Sequence, residues 1–327
     1  MLAGGGINGP AEGEYFTATQ AWQSLKRGEK MVVKLFFLGF DGMDYDLLKK
    51  YLKQNENASL NKARGSLLLM TPEDELLGTG PCWMTMYTGL SKKNHGIESC
   101  WGNPEKFMVF QHPCVWDVLS DFGFTVGLFG LPVTYPPKSI RGFWVSGFPT
   151  PPPKTDFNEG GSIIAFPKNI QEKYLGRHVV DIIQAEVGEN GELVDWGKPS
   201  SNGKIPKAWQ TAFHEKMKED SDYPYKLCKV VSDNQISTIK KMFMDIPVDA
   251  VFAQFSFIDH MGHLESAHMM AEERFLKRLY PLADSVMSEL LNFFKPENLL
   301  ITSDHGFKGY NHSKRAIAYF SGSDIME

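Results

Sequence analysis

Leu299-Leu300-Ile301-Thr302-Ser303-Asp304-His305-Gly306 is the stretch whose reading decides the fold. An apolar run rich in branched residues reads as a buried strand. It stops at Asp304 and His305, both metal-ligand side chains, and Gly306 then lets the backbone turn. A carboxylate and an imidazole at the carboxyl end of a buried strand lie where open α/β sheets bind ligands. Two other stretches repeat the pattern. Val33-Lys34-Leu35-Phe36-Phe37-Leu38-Gly39-Phe40 runs into Asp41-Gly42, and the apolar run Ala250 to Ile258 meets Asp259, with His263 four residues on. With His312 behind the first stretch, three Asp and three His form one candidate site.

The rest of the chain sets bounds on this site. Its 327 residues, 42% hydrophobic, can bury a large α/β core. A net charge of −5 gives no electrostatic case for a nucleic-acid polymer or an anionic membrane. No apolar run approaches the ~18–20 residues of a membrane span, and the amino terminus lacks the basic start and apolar centre of a secretory signal. Cys82, Cys100, Cys114 and Cys228 form no CxxC pair and read as reduced thiols of a cytoplasmic protein. Residues 1–30, Gly-rich and polar, read as a flexible leader.

Along the chain, Asp44 is placed to cap a helix running through Leu52. Gly65 to Leu69 reads as a short strand, Val115 to Phe122 as a helix and Thr125 to Leu131 as a strand. The Pro-rich stretch from Pro132 to Pro153 is expected to be an ordered loop on the ligand side. Residues 154–230 lose apolar periodicity and read as an inserted cap or substrate segment, with helices at Gln171 to Leu175 and Lys207 to Lys218. The metal-binding core then comprises 31–153 and 231–327. A helix from Ser232 to Met244 is expected, then one from Ala271 to Phe294 kinked at Pro281. Ala316 to Ser321 reads as an edge strand.

Thr79-Gly80-Pro81-Cys82-Trp83 opens another predicted helix. Pro81 fits its first turn, which puts Thr79 at or just before the cap. A hydroxyl there lies beside free backbone N–H groups and the positive end of the helix dipole, a setting that favours a bound anion.

Mixed Asp and His ligands suit Zn, and Mn or Fe can take the same set. Three carboxylates would neutralise a single divalent ion, whereas two such ions leave one net positive charge for an anionic ester. Two-metal sites are suited to in-line displacement at phosphorus.

On these motifs the chain resembles the alkaline phosphatase superfamily, on its type I phosphodiesterase/nucleotide pyrophosphatase side, and within it the branch of predicted phosphohydrolases and phosphomutases. The matching residues are Leu38-Gly39-Phe40-Asp41-Gly42, Thr79-Gly80-Pro81-Cys82-Trp83, His95-Gly96-Ile97, Pro132 to Pro137, Asp259-His260-Met261-Gly262-His263, Ser303-Asp304-His305-Gly306 and His312. They appear in family order across residues 31 to about 320. The resemblance implies a three-layer α/β sandwich with a central, mostly parallel sheet and an inserted cap. It implies that Asp41, Thr79, Asp304 and His305 hold one metal and Asp259, His263 and His312 the other. Thr79 would be the nucleophile, forming a phosphothreonine, and the Gly80 N–H a donor to an oxygen of the pentavalent phosphorus centre. The substrate would be a small phosphoester.

In nucleotide pyrophosphatases an Asn follows the HGI-type motif and touches a phosphoryl oxygen; the corresponding position here is Cys100. The sulfatase motif is missing, since Cys82 is followed by Trp83-Met84-Thr85. A phosphomutase and a non-catalytic metal-binding relative are the alternatives.

Overall fold

In a computed structural model of the chain, residues 32–72, 77–100, 112–148, 165–170, 173–174, 185–187, 193–195, 207–265, 271–308 and 311–323 are described. Twelve strands occur among them. In chain order they are β1 (Leu35–Phe40), β2 (Ser66–Met70), β3 (Val126–Leu131), β4 (Gly142–Ser146), β5 (Ala165–Phe166), β6 (Ala185–Val187), β7 (Leu193–Asp195), β8 (Ala250–Phe255), β9 (Asn298–Thr302), β10 (Gly306–Lys308), β11 (Asn311–Ser313) and β12 (Ala316–Gly322). Eight form one sheet in the order β2-β12-β9-β1-β8-β3-β4-β5, and β6–β7 and β10–β11 are separate antiparallel pairs.

The centre of the sheet is parallel: β1 pairs with β8 and β9, and β3 with β8 and β4. Every residue of β3 and β8 is buried. Strands covered on both faces read as continuous apolar runs, which is why those runs alone located them. On one face Phe36, Leu38 and Phe40 pack with Ile239 and Met242 of the helix Tyr223–Asp245 and Val286 and Leu290 of the helix Tyr280–Phe294. On the other, Phe37, Leu128 and Phe252 pack with Trp83 of the helix Thr79–Thr88 and Trp116 of the helix Val115–Asp121. Helices on both faces of a mostly parallel sheet give the expected three-layer α/β sandwich.

Register sets the site. Phe40 pairs with Phe255, and Gly39 with Thr302. Parallel strands aligned in this way release their next residues at one edge, so the segments after β1, β8 and β9 emerge side by side.

Several local expectations change. Residues 142–146 form β4, hydrogen-bonded parallel to β3, where a loop was expected. No proline falls between Pro137 and Pro149, and Phe143, Trp144 and Val145 bury fully enough to join the sheet. β12 is an inner strand, antiparallel to both β9 and β2, and β2 lies at that edge. The helix expected from Ser232 begins at Tyr223, nine residues earlier, with Pro224 in its first turn. The one expected from Ala271 is α-helical at Ala271–Arg274, widens to a π-turn at Phe275–Leu279 and resumes at Tyr280–Phe294, with Pro281 in that first turn. The helix expected at Lys207 is present as Lys207–Glu219. The one expected at Gln171 to Leu175 lies mostly outside the described residues, as does the leader. No described helix is long and apolar enough to cross a membrane.

Candidate active site

Asp41 follows β1 directly, and its backbone stays tied to β8: the Asp41 N–H donates to Phe255 O at 3.0 Å, and the Asp259 N–H to Asp41 O at 3.2 Å. Strand β8 ends at Phe255. Asp259 therefore sits in the first turn of the helix Phe257–Glu265 rather than on the strand, and His263 is one turn on, on the same face. Gly42 closes the junction. Its N–H donates to Asp304 Oδ1 at 3.2 Å, its φ is +75°, and a Cβ there would lie 3.1 Å from Asp259 Cα. A glycine meets both the left-handed backbone and the close approach.

Strand β9 ends at Thr302, so Asp304 and His305 are freed from strand alternation. Gly306 starts the β10–β11 hairpin, in which Phe307 faces His312. The hairpin folds back so that the His305 and His312 rings stack at 3.6 Å.

The six side chains converge. His305 Nε2 lies 3.1 Å from Asp304 Oδ2, 3.5 Å from Asp41 Oδ1 and 3.8 Å from Asp259 Oδ1. Asp259 Oδ1 lies 3.2 Å from His312 Nε2 and 3.4 Å from His263 Nε2, and those two nitrogens are 3.0 Å apart. Two ligand groups result, Asp41/Asp304/His305 and Asp259/His305/His312, with His305 common to both. Asp304 is 1% exposed and His305 is fully buried.

Asp41 Oδ1, Asp304 Oδ2, Asp259 Oδ1 and His305 Nε2 are buried without a hydrogen-bond partner. Buried polar atoms are normally satisfied. Four partnerless ligand atoms pointing at one another fit a site built for divalent cations.

The charges within this cage conflict. Burial, then the charges of Asp304 and Asp259, pushes the Asp41 carboxyl well above the usual carboxylate range, and burial followed by the Asp259 charge does the same to Asp304. Burial also acts on Asp259, but the close approach of His312 and the charges of the neighbouring imidazoles outweigh it and hold its carboxyl low. Burial pushes His305 down to about 3.

Other contacts fix orientation. Trp83 Nε1 and Gln254 Nε2 each donate to Asp41 Oδ2 at 3.4 Å, leaving Oδ1 toward the cage. Asp41, Thr79, Asp259, His263 and His312 line a cavity of about 420 Å³, with Glu98, Cys100, Phe148 and His260 also on its walls. Thr79 is the first residue of its helix, with Gly78 as the cap. Gly80 is buried behind that wall, and a Cβ on it would meet Cys100 N at 2.6 Å. Its N–H faces the Cys100 sulfur, whose thiol burial and the Asp41 charge push up to about 12. All four cysteines are buried and none forms a disulfide.

Two other side chains find structural roles. His95 Nε2 lies 3.1 Å from Thr85 Oγ1, and its Nδ1 accepts from the Ile97 N–H at 3.0 Å. Arg315, three residues past His312, is ion-paired with Asp46 and lies over Tyr45. Trp83, Gln254 and Asp44 carry no sequence signal for their contacts in the site. The register of β8 on β1 brings Gln254 there, and the packing of the helix Thr79–Thr88 on the sheet brings Trp83.

The family model of type I phosphodiesterase/nucleotide pyrophosphatase matches residues 35–321. The chain belongs to this family. The resemblance seen in its motifs is thereby borne out. Solved structures similar to it include phosphonoacetate hydrolase from Sinorhizobium meliloti 1021 in complex with phosphonoacetate, at 13% identity and TM-score 0.42, covering 85% of this chain and 57% of that one. Murine ectonucleotide pyrophosphatase/phosphodiesterase 5 is 14% identical with a TM-score of 0.44, covering 84% and 57%. Alkaline phosphatase from the Antarctic bacterium TAB5 is 12% identical with a TM-score of 0.42, covering 90% and 92%. This family member thus spans 57% of the length of the first two. No curated protein matches it.

Proposed function

We propose that this family member is a two-cation phosphoester hydrolase acting on small phosphodiesters through Thr79. The observation that carries the reading is the convergence of four partnerless ligand atoms beside a cavity that Thr79 also lines. Asp41, Thr79, Asp304 and His305 would hold one ion, and Asp259, His263 and His312 the other. The ligand set suits Zn, with Mn or Fe able to take the same donors. Bound ions would supply Lewis acidity at the phosphoryl oxygens and lower the pKa of the attacking hydroxyl.

The chain's own residues do the rest. Thr79 Oγ forms a bond to phosphorus as the bond to the departing alkoxide breaks, and the hydroxyl proton ends on the alcohol released. Water then attacks the phosphothreonine, breaking the Thr79 Oγ–P bond and restoring the hydroxyl. The Gly80 N–H, which faces the weak acceptor sulfur of Cys100, would be the donor to a phosphoryl oxygen. No Lys or Arg is among the described residues lining the cavity. A singly charged diester fits that wall better than a dianionic monoester, which also weighs against a phosphomutase.

The test compares bis(4-nitrophenyl) phosphate with 4-nitrophenyl phosphate, with Zn or Mn added to metal-stripped protein. Cation-dependent hydrolysis favouring the diester, lost in Thr79→Ala with cation binding kept, is the expected result. Full activity in Thr79→Ala removes the nucleophile from the mechanism.

A further inference from the structure

We propose that Asp44, acting through Ser313, is a positioning residue that holds the β10–β11 hairpin, and with it His312, over the second cation position. The inference rests on the two-cation reading of the site. It begins with a division of labour within one carboxylate. Asp44 Oδ1 caps the helix Tyr45–Gln54, accepting from the N–H groups of Asp46 at 2.9 Å and Leu47 at 3.2 Å. Asp44 Oδ2 accepts from Ser313 Oγ at 2.8 Å. A cap needs one oxygen, and serine would provide it as well. Reaching Ser313 takes the second oxygen and the longer side chain.

Neighbouring bonds make this a strap. The Tyr45 N–H donates to Arg315 O at 2.8 Å, and Arg315 Nη2 donates to Asp46 Oδ1 at 2.7 Å. Three consecutive residues thus grip Ser313 and Arg315. The strap is itself anchored, because the Asp44 N–H donates to the Tyr280 hydroxyl at 3.0 Å and that hydroxyl donates to Asp44 O at 3.2 Å. Asp44 is 5% exposed and Tyr280 is 1% exposed.

Gly306 shows how tightly the hairpin is seated. It pairs with Ser313, and a Cβ on it would lie 2.3 Å from Asp44 Oδ2 and 2.6 Å from Ser313 Oγ. The carboxylate occupies the space a side chain would take. Gly306 follows His305 and Ser313 follows His312, so the seat lies directly beside both imidazoles. A hairpin with three-residue strands is marginal on its own, and partners behind the ligands of a metal set their orientation.

The experiment is calorimetric titration of the metal-stripped full chain with Zn²⁺ alone, with melting temperatures of the metal-free proteins alongside. Wild type should show two binding events, and His312→Ala should lack one. Ser313→Ala should weaken that same event on the order of tenfold and leave the other unchanged. Asp44→Ser, which keeps a cap and loses the reach, should do likewise with little change in metal-free melting. Asp44→Asn, retaining an oxygen for the helix and a polar group for Ser313, should titrate like wild type. If Ser313→Ala and Asp44→Ser match wild type while His312→Ala loses its event, the positioning role is wrong and the two-cation reading stands. Equal weakening of both events marks general destabilisation and also overturns it. A wild-type protein lacking a second event overturns the two-cation reading and this inference together.

Discussion

His312 Nδ1 lies 3.1 Å from the carbonyl oxygen of Leu77, two residues ahead of Thr79. A carbonyl only accepts, so Nδ1 carries the proton and Nε2 turns its lone pair toward Asp259 and His263. The same contact ties the loop of the proposed nucleophile to the hairpin that carries the proposed ligand. On that reading, replacing His312 removes a ligand and frees that loop. His312→Ala is expected to lose one bound cation per chain by metal analysis and to lower kcat for an aryl phosphodiester by on the order of a hundredfold, the upper end for outer-shell changes alone.

The cage places three carboxylates in a buried space, and burial with mutual repulsion disfavours two of them as anions. Cations reverse this conflict. In the presence of chelator, Asp304→Asn should melt at or above the wild-type temperature, because it removes a buried charge at little cost in volume. With cations added, the order reverses. Wild type gains about 2.7 kcal/mol at a free concentration a hundredfold above Kd, and Asp304→Asn gains much less. Scanning calorimetry with and without Zn²⁺ reads both arms. A mutant that stays less stable than wild type in chelator contradicts the charge argument.

Much of this site could be read from three strand ends, because a parallel strand buried on both faces is a continuous apolar run and its polar successor stands out. Asp44 was legible as a cap for a related reason: capping is local, and Asp44 precedes a helical period. What escaped depends on contacts distant in sequence. That Asp259 belongs to a helix was hidden because Phe257 and Ile258 extend the apolar run past the true strand end at Phe255. β12 reads as an edge, since nothing in Ala316 to Ser321 says that β2, some 250 residues earlier, covers it. The link from Asp44 to Ser313 spans 269 positions.

Gly39 bears on the site without being part of it. It lies within β1, and a Cβ there would come 2.4 Å from the Trp83 ring, which is fully buried. The ring can move only by shifting the helix Thr79–Thr88 or by withdrawing its Nε1–H from Asp41. Gly39→Ala is expected to cost about 1–3 kcal/mol in denaturant unfolding, as overpacking does. It should also weaken cation binding at the Asp41 side, measured by the same titration. Unchanged stability would show that Trp83 has room that this packing denies.

Asp249, just ahead of β8, gives a pH signature far from the cage. Its Oδ2 accepts from the Thr125 N–H at 2.9 Å and from Thr125 Oγ1 at 2.8 Å, and Lys34 Nζ lies 3.3 Å from Oδ1. Burial alone would raise its carboxyl, but the Thr125 bonds and the Lys34 charge outweigh it and hold it below the usual range. A carboxyl with a lowered folded-state pKa contributes stability that is fully present above its unfolded value, about 3.9. That contribution is lost as pH falls through the folded value. Asp249→Ala should therefore cost about 1–2 kcal/mol near neutral pH, toward the low end because the group is partly exposed to water. The gap between mutant and wild type should hold constant down to about pH 4 and shrink below it. Urea unfolding of the two proteins across pH 3 to 7, with chelator present in both, measures that gap; one that widens as the pH falls would mean that the Asp249 carboxyl is raised in the folded state rather than lowered.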